Sequence, residues 1–186
     1  LNIILNIPNQ LSVIRFFLAG IIVVFLTIDF PYARILVLYI FILGIITDML
    51  DGFLARKLNQ CSNLGKFIDP LADKVLMLSV FIFLVEYQCL EAWMVAIILT
   101  REFLVTGLRL ILVEKNIILP ADIYGKIKTV VQMSIALLYL WGLAYPGYSW
   151  LPLPHSDLSW ILGIFVTLIT FLSGLSYFYS CRKWIF

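Results

Sequence analysis

Residues 48–73, DMLDGFLARKLNQCSNLGKFIDPLAD, carry four aspartates in a chain that is otherwise a succession of apolar runs. Asp48 and Asp51 are three residues apart and Asp69 and Asp73 four, so each pair projects from one face of a helix. If 48–56 ends one helix and 69–73 begins the next, the two pairs meet across a helical hairpin. Carboxylates gathered in a half-dry place repel one another unless cations stand between them, and divalent metal answers that need. The plainer alternative is that each Asp is a solvated helix end or a cap, with Asp69 capping a helix that Pro70 opens. Four acids on two matching faces favour the metal, because ionisable residues inside membrane segments are functional by default.

Gly52, Ala55 and Arg56 extend the Asp48–Asp51 stripe at i+4, i+7 and i+8. The small residues leave room for close approach, and the arginine adds a fixed positive fork. Alone, small residues indicate only helix packing, the reading given to Gly44 and Gly107. Beside two acids and an arginine they form the floor of a phosphate site. Carboxylates that hold hard divalent cations, with substrate phosphates completing the shell, suit Mg2+ or Mn2+, and two such ions can clamp a phosphoryl group. The chemistry indicated is phosphoryl-type transfer on a lipid at the membrane surface.

The elements that must position these residues are membrane helices. Of 186 residues, 63% are hydrophobic and 13% charged, against about 45–50% and about 25% in soluble domains. Six stretches are long and apolar enough to span a bilayer, at 10–29, 34–56, 67–87, 92–113, 124–145 and 157–180. The fold class expected is all-α: a polytopic membrane protein of six transmembrane helices around a cytoplasmic-side active site, in a single domain over 1–186. Basic residues gather at Arg56, Lys57 and Lys66, at Lys115, Lys126 and Lys128, and at Arg182 and Lys183. The alternate connections are nearly free of them. The positive-inside rule therefore puts both termini and the aspartate hairpin on the cytoplasmic side, as in a bacterial inner membrane. Cys61, Cys89 and Cys181 lack metal spacing and read as inert thiols. His155, in an outer connection, has no expected catalytic role.

The pattern Asp48-x2-Asp51-Gly52-x2-Ala55-Arg56-x8-Gly65-x3-Asp69-x3-Asp73 fixes eight positions over 26 residues. It resembles the complete signature of the CDP-alcohol phosphatidyltransferases. NIPNQLSVIR at 6–15, REFLVTGLR at 101–109 and GKIKT at 125–129 resemble the phosphatidylglycerophosphate synthase branch of that family. The resemblance implies six transmembrane helices, a homodimer, and displacement of CMP from a CDP-linked lipid with two divalent cations, Mg2+ or Mn2+. By motif position, Asp48, Asp51 and Asp69 would be metal ligands. Asp73 would be both a ligand to the second metal and the general base. Gly52, Arg56 and Ser62 would contact the cytidine diphosphate, joined by Asn9 and Ser12 from the first helix. Ser62 is a departure, standing near where the family carries threonine; it keeps a hydroxyl.

Outside the signature, Arg101 and Arg109 lie eight apart on the fourth span and face nearly the same way. Buried arginines in a membrane helix are costly without an anionic partner. Glu102 could serve as that partner for one of them. The functional reading is a cradle for the phosphate of the acceptor, with Lys126 and Lys128 from the fifth span. The activity expected is transfer of a phosphatidyl group from CDP-diacylglycerol to glycerol 3-phosphate, giving phosphatidylglycerophosphate and CMP. The nearest alternative changes the acceptor to phosphatidylglycerol, inositol phosphate or another alcohol. From other classes, a divalent-cation transporter would explain the acids but not Arg56, Arg101 and Arg109. A membrane prenyltransferase fits the Gly–Ala–Arg spacing poorly. No nucleic-acid partner is expected.

Overall fold

Each apolar run becomes one helix. The computed structural model of the chain describes residues 7–28, 30–58, 65–114, 123–147 and 156–185, with side chains over 10–28, 30–50, 71–112, 123–147 and 156–182. Among these the helices are α1 (Ile7–Thr27), α2 (Ala33–Leu58), α3 (Gly65–Glu86), α4 (Ala92–Glu114), α5 (Ile123–Ala144) and α6 (Asp157–Ile185), and there is no strand. Their bounds follow the six expected spans to within a few residues. The chain is an all-α integral membrane protein. Four helices, over Gln10–Thr27, Ala33–Leu50, Ile123–Ala144 and Asp157–Arg182, are long and apolar enough to cross a membrane on composition alone. The other two, α3 and α4, are as long and carry charge within their apolar runs: Asp69, Asp73 and Lys74 on one, Arg101, Glu102 and Arg109 on the other.

Local signals close the ends. Ser156 caps α6, its Oγ accepting from the Ser159 N–H at 3.1 Å. Helix α3 finishes in a Schellman turn, with Cys89 N–H donating to Leu84 O and Gln88 N–H to Val85 O, both at 2.9 Å. Gln88 takes the left-handed position there, at φ 55°. Helix α3 begins at Gly65, four residues before Asp69. Asp69 is therefore inside the helix, and the reading of it as an N-cap before Pro70 does not hold.

Helix α1 packs against α2 and α3, α5 against α2 and α6, and α4 chiefly against α6. The main core draws Ile22 from α1, Phe41 from α2, Val80 and Phe83 from α3, Met94 and Ile98 from α4, Tyr139 and Leu140 from α5 and Val166 from α6. Outward, Phe17, Leu43, Val130, Phe165 and Leu172 are exposed, as lipid-facing side chains are. Polar crossings lie inside. Gln132 Nε2 donates to Thr170 Oγ1 at 2.9 Å, Tyr139 Oη to Ser159 O at 2.5 Å, and Ser159 Oγ to Cys89 O at 2.8 Å. Cys89 and Cys181 are buried and free, and burial pushes the Cys89 thiol, in the α3–α4 connection, up to about 12. That one is inert, as expected; Cys61 and His155 lie outside the described residues.

Among the described residues, Gly44 marks a point of contact between the consecutive helices α2 and α3. A methyl group added to Gly44 would run into the Leu76 side chain. Gly44 lies one turn before Asp48, and Leu76 one turn after Asp73. The close approach thus sets Asp48 and Asp73 toward each other. Gly107 is different: nothing among the described residues stands within 4 Å of where its Cβ would be, so the packing role expected for it is not found there. We predict that Gly44→Val overpacks this contact and costs about 1–3 kcal/mol. Thermal unfolding in detergent should show much of the loss recovered in Gly44→Val/Leu76→Ala.

Candidate functional site

Two of the four aspartates, Asp48 and Asp73, have described side chains. Their carboxylates lie within electrostatic reach of each other, and Asp73 also senses Arg15, Lys128 and Glu102. The side chains of Asp51, Gly52, Arg56 and Asp69, and of Asn9, lie outside the described residues, as does Ser62 altogether. Among the described residues no three His, Cys, Asp or Glu side chains form a metal-holding group. The pair that is described supplies oxygen donors alone, the set that suits hard divalent cations. Asp48 is 42% exposed and open to a ligand on that side.

Its other side is taken by a residue that the sequence reading passed over. Arg15 of α1 is 1% exposed, and its Nη1 is ion-paired with Asp48 Oδ1. Nη2 of the same guanidinium donates to Ser12 Oγ at 3.5 Å, one turn back on α1. Ser12 is fully buried, and its hydroxyl serves this pair. The signal was present: Arg15 is the one charged residue in the apolar run of 11–28. A guanidinium there has to find a carboxylate.

Beside Asp73 a cavity of about 550 Å³ opens between α3, α4 and α5, with Tyr177 of α6 in its wall. All four cations expected to bind a phosphate, Arg101, Arg109, Lys126 and Lys128, line it together with Asp73. They form a gradient. Lys126 and Arg109 are exposed, whereas the side chain of Arg101 is 10% exposed and that of Lys128 5%. Arg109 is therefore not the buried arginine expected; about 12 Å separate it from Arg101 along α4, which brings it toward water. Its guanidinium stands 6.0 Å from the centre of the Tyr177 ring.

Glu102 does pair with one of the arginines, Arg101, as anticipated, and with a second cation besides. Its Oε1 is ion-paired with Lys128 Nζ, and Arg101 Nη1 approaches the same oxygen at 3.5 Å. Gly174 on α6 lets the Arg101 stem pass, since an added methyl would meet its Cγ at 2.9 Å. Lys74 is a second residue missed by sequence reading. It follows Asp73 directly, is half-buried, lines the same cavity and senses Glu102, Lys128 and Arg109. A carboxylate edge and a cationic cavity therefore adjoin. Such an arrangement can hold a small polyanion by its phosphate, next to a pair of carboxylates.

The family model for CDP-alcohol phosphatidyltransferase matches residues 5–173. Among curated relatives, the CDP-diacylglycerol–glycerol-3-phosphate 3-phosphatidyltransferase of Bacillus subtilis (strain 168) is 37% identical over 186 residues, covering 93% of each chain. The protein of the same name from Rickettsia bellii (strain RML369-C) is 36% identical, covering 96% of this chain and 97% of its own. That from Wigglesworthia glossinidia brevipalpis is 34% identical over 98% of both.

The Arg15–Asp48 pair yields a direct prediction. Arg15→Met strands a carboxylate and should destabilise the protein, by less than the about 3–5 kcal/mol of a fully buried pair because Asp48 is half exposed. Arg15→Met/Asp48→Asn should recover most of that loss in thermal unfolding. Equal stability of the single variant and the parent would show that the pair contributes nothing.

Proposed function

The chain belongs to the CDP-alcohol phosphatidyltransferase family, and from that premise we propose that it transfers a phosphatidyl group from CDP-diacylglycerol to glycerol 3-phosphate, giving phosphatidylglycerophosphate and CMP. One observation carries the choice of acceptor: five cations line a cavity that Asp73 also lines. The names of the relatives agree with it. Fixed cations along the same cavity disfavour the passage of metal ions, and with it the transporter reading.

Asp48, Asp51, Asp69 and Asp73 would hold two divalent cations, Mg2+ or Mn2+, which when bound neutralise the diphosphate and favour loss of the proton from the attacking alcohol. Arg15 fixes the Asp48 carboxylate from within the bundle, and Ser12 fixes Arg15. Gly52 and Arg56, with Ser62 and Asn9, hold the cytidine diphosphate. In the cavity, Lys126 and Arg109 draw the acceptor dianion in from water, and Arg101 with Lys74 fixes its phosphate. The far hydroxyl is thereby turned toward Asp73, which takes its proton as it attacks phosphorus and CMP leaves. The whole chain acts as one domain, works as a homodimer and opens its site to the cytoplasm.

Two sets of variants test this. CMP release from CDP-diacylglycerol and glycerol 3-phosphate should stop in chelator and return with Mg2+ or Mn2+, and Asn at 48, 51 or 69 should nearly abolish it. Asp73→Asn should keep binding the CDP-lipid while turnover falls by about 10²-fold or more. A near-normal rate in that variant would remove the general base from Asp73.

Arg109→Gln addresses the acceptor. Loss of a charge-assisted contact should raise the KM for glycerol 3-phosphate by roughly 10- to 150-fold, toward the lower end because Arg109 is exposed. The KM for CDP-diacylglycerol should hardly move. Equal losses for donor and acceptor would make this arginine structural.

A further inference from the structure

The cationic cavity contains a carboxylate that the transfer reaction leaves without a task. Asp73 and Glu102 are the two acids among its lining residues, against Lys74, Arg101, Arg109, Lys126 and Lys128. A negative charge in a cavity that collects a dianion opposes binding, so its presence asks for a reason. Partnering the buried Lys128 is one, but it occupies half of the group. Lys128 and Arg101 both meet Oε1, and Oε2 makes no hydrogen bond among the described residues. The side chain is 18% exposed and forms part of the cavity wall. One carboxylate oxygen is therefore anchored by two cations, and the other is left to a ligand.

An ionised carboxylate oxygen only accepts hydrogen bonds. Inside an anion-binding cavity, the donor that a small phosphorylated alcohol can offer it is a hydroxyl. Glu102 and Asp73 line the same cavity. Asp73 faces the reacting hydroxyl in the function proposed above, on which this inference rests. We propose that Glu102 Oε2 accepts a hydrogen bond from the hydroxyl next to the reacting one, making the cavity selective for phosphorylated vicinal diols over phosphorylated simple alcohols. The phosphate is held by cations, the reacting hydroxyl is turned to Asp73, and the middle hydroxyl is read by Glu102. A buried polar group left without its partner penalises a ligand that lacks the donor, which is how such a site discriminates.

The test compares kcat/KM for glycerol 3-phosphate with that for 3-hydroxypropyl phosphate, which lacks the middle hydroxyl, at saturating CDP-diacylglycerol with CMP release as readout. The unaltered protein should prefer glycerol 3-phosphate by roughly 10- to 150-fold, the range of one hydrogen bond to a charged group. In Glu102→Gln that preference should shrink to within about threefold, while the KM for CDP-diacylglycerol stays unchanged. If Glu102 only holds Lys128 in place, the substitution weakens both acceptors alike and the preference survives, which overturns the proposal. Glu102→Asp keeps the charge but withdraws the carboxylate by one methylene. Its preference must fall as well, so it decides the matter should the Gln variant fail to fold. Equal use of both acceptors by the unaltered protein defeats the role of Glu102 while leaving glycerol 3-phosphate as the acceptor. Turnover of neither one defeats the acceptor reading itself.

Discussion

Charge inside an apolar bundle has to be paired, and this requirement organises the described half of the site. Arg15 and Lys128 are nearly inaccessible, on helices that face lipid elsewhere. Each reaches across to a carboxylate on another helix: Arg15 of α1 to Asp48 of α2, and Lys128 of α5 to Glu102 of α4. An unpaired charge at such depth costs several kcal/mol, so these contacts select the helix arrangement that permits both. In a bilayer, where apolar side chains lose little by facing lipid instead of each other, polar crossings carry more of the specificity. The two pairs flank the gap in which Asp73 stands.

Much of this was legible in the sequence, for physical reasons that differ by residue. The six helices followed from apolar length, since a span must satisfy its backbone internally and cover about 30 Å of hydrocarbon. The meeting of Arg101, Arg109, Lys126 and Lys128 in one cavity followed from spacing on neighbouring helices. The pairing of charges was harder to read. Glu102 does pair with an arginine, as the sequence suggested, but consecutive residues on a helix point about 100° apart, and Lys128, across the α4–α5 gap, meets it better. Arg15 escaped because it stands 33 residues from its partner, and no local pattern declares that distance.

Glycines show the same division. Gly44 and Gly107 look alike in sequence, each alone among large apolar residues. Only the neighbouring helix tells them apart: α3 presents Leu76 to Gly44, whereas nothing among the described residues approaches Gly107. Gly174 drew no notice, yet its missing side chain is what the Arg101 stem passes over. Small residues on a membrane helix predict close contact somewhere, but which one is used depends on crossing points that the chain itself does not display.

The arrangement also bears on why a reaction of this kind needs two zones of opposite charge on one face. A diphosphate approached by a phosphorylated alcohol brings two anions together, and a single pocket of one sign could bind both but would not order them. Here carboxylates that would gather divalent cations adjoin a cavity that gathers phosphate directly. Asp73 belongs to both: it lies within electrostatic reach of Asp48, and it lines the cavity with Lys128 and Glu102. In the proposed reaction, a residue shared by the two zones would be the place for the proton to leave, where donor and acceptor would meet.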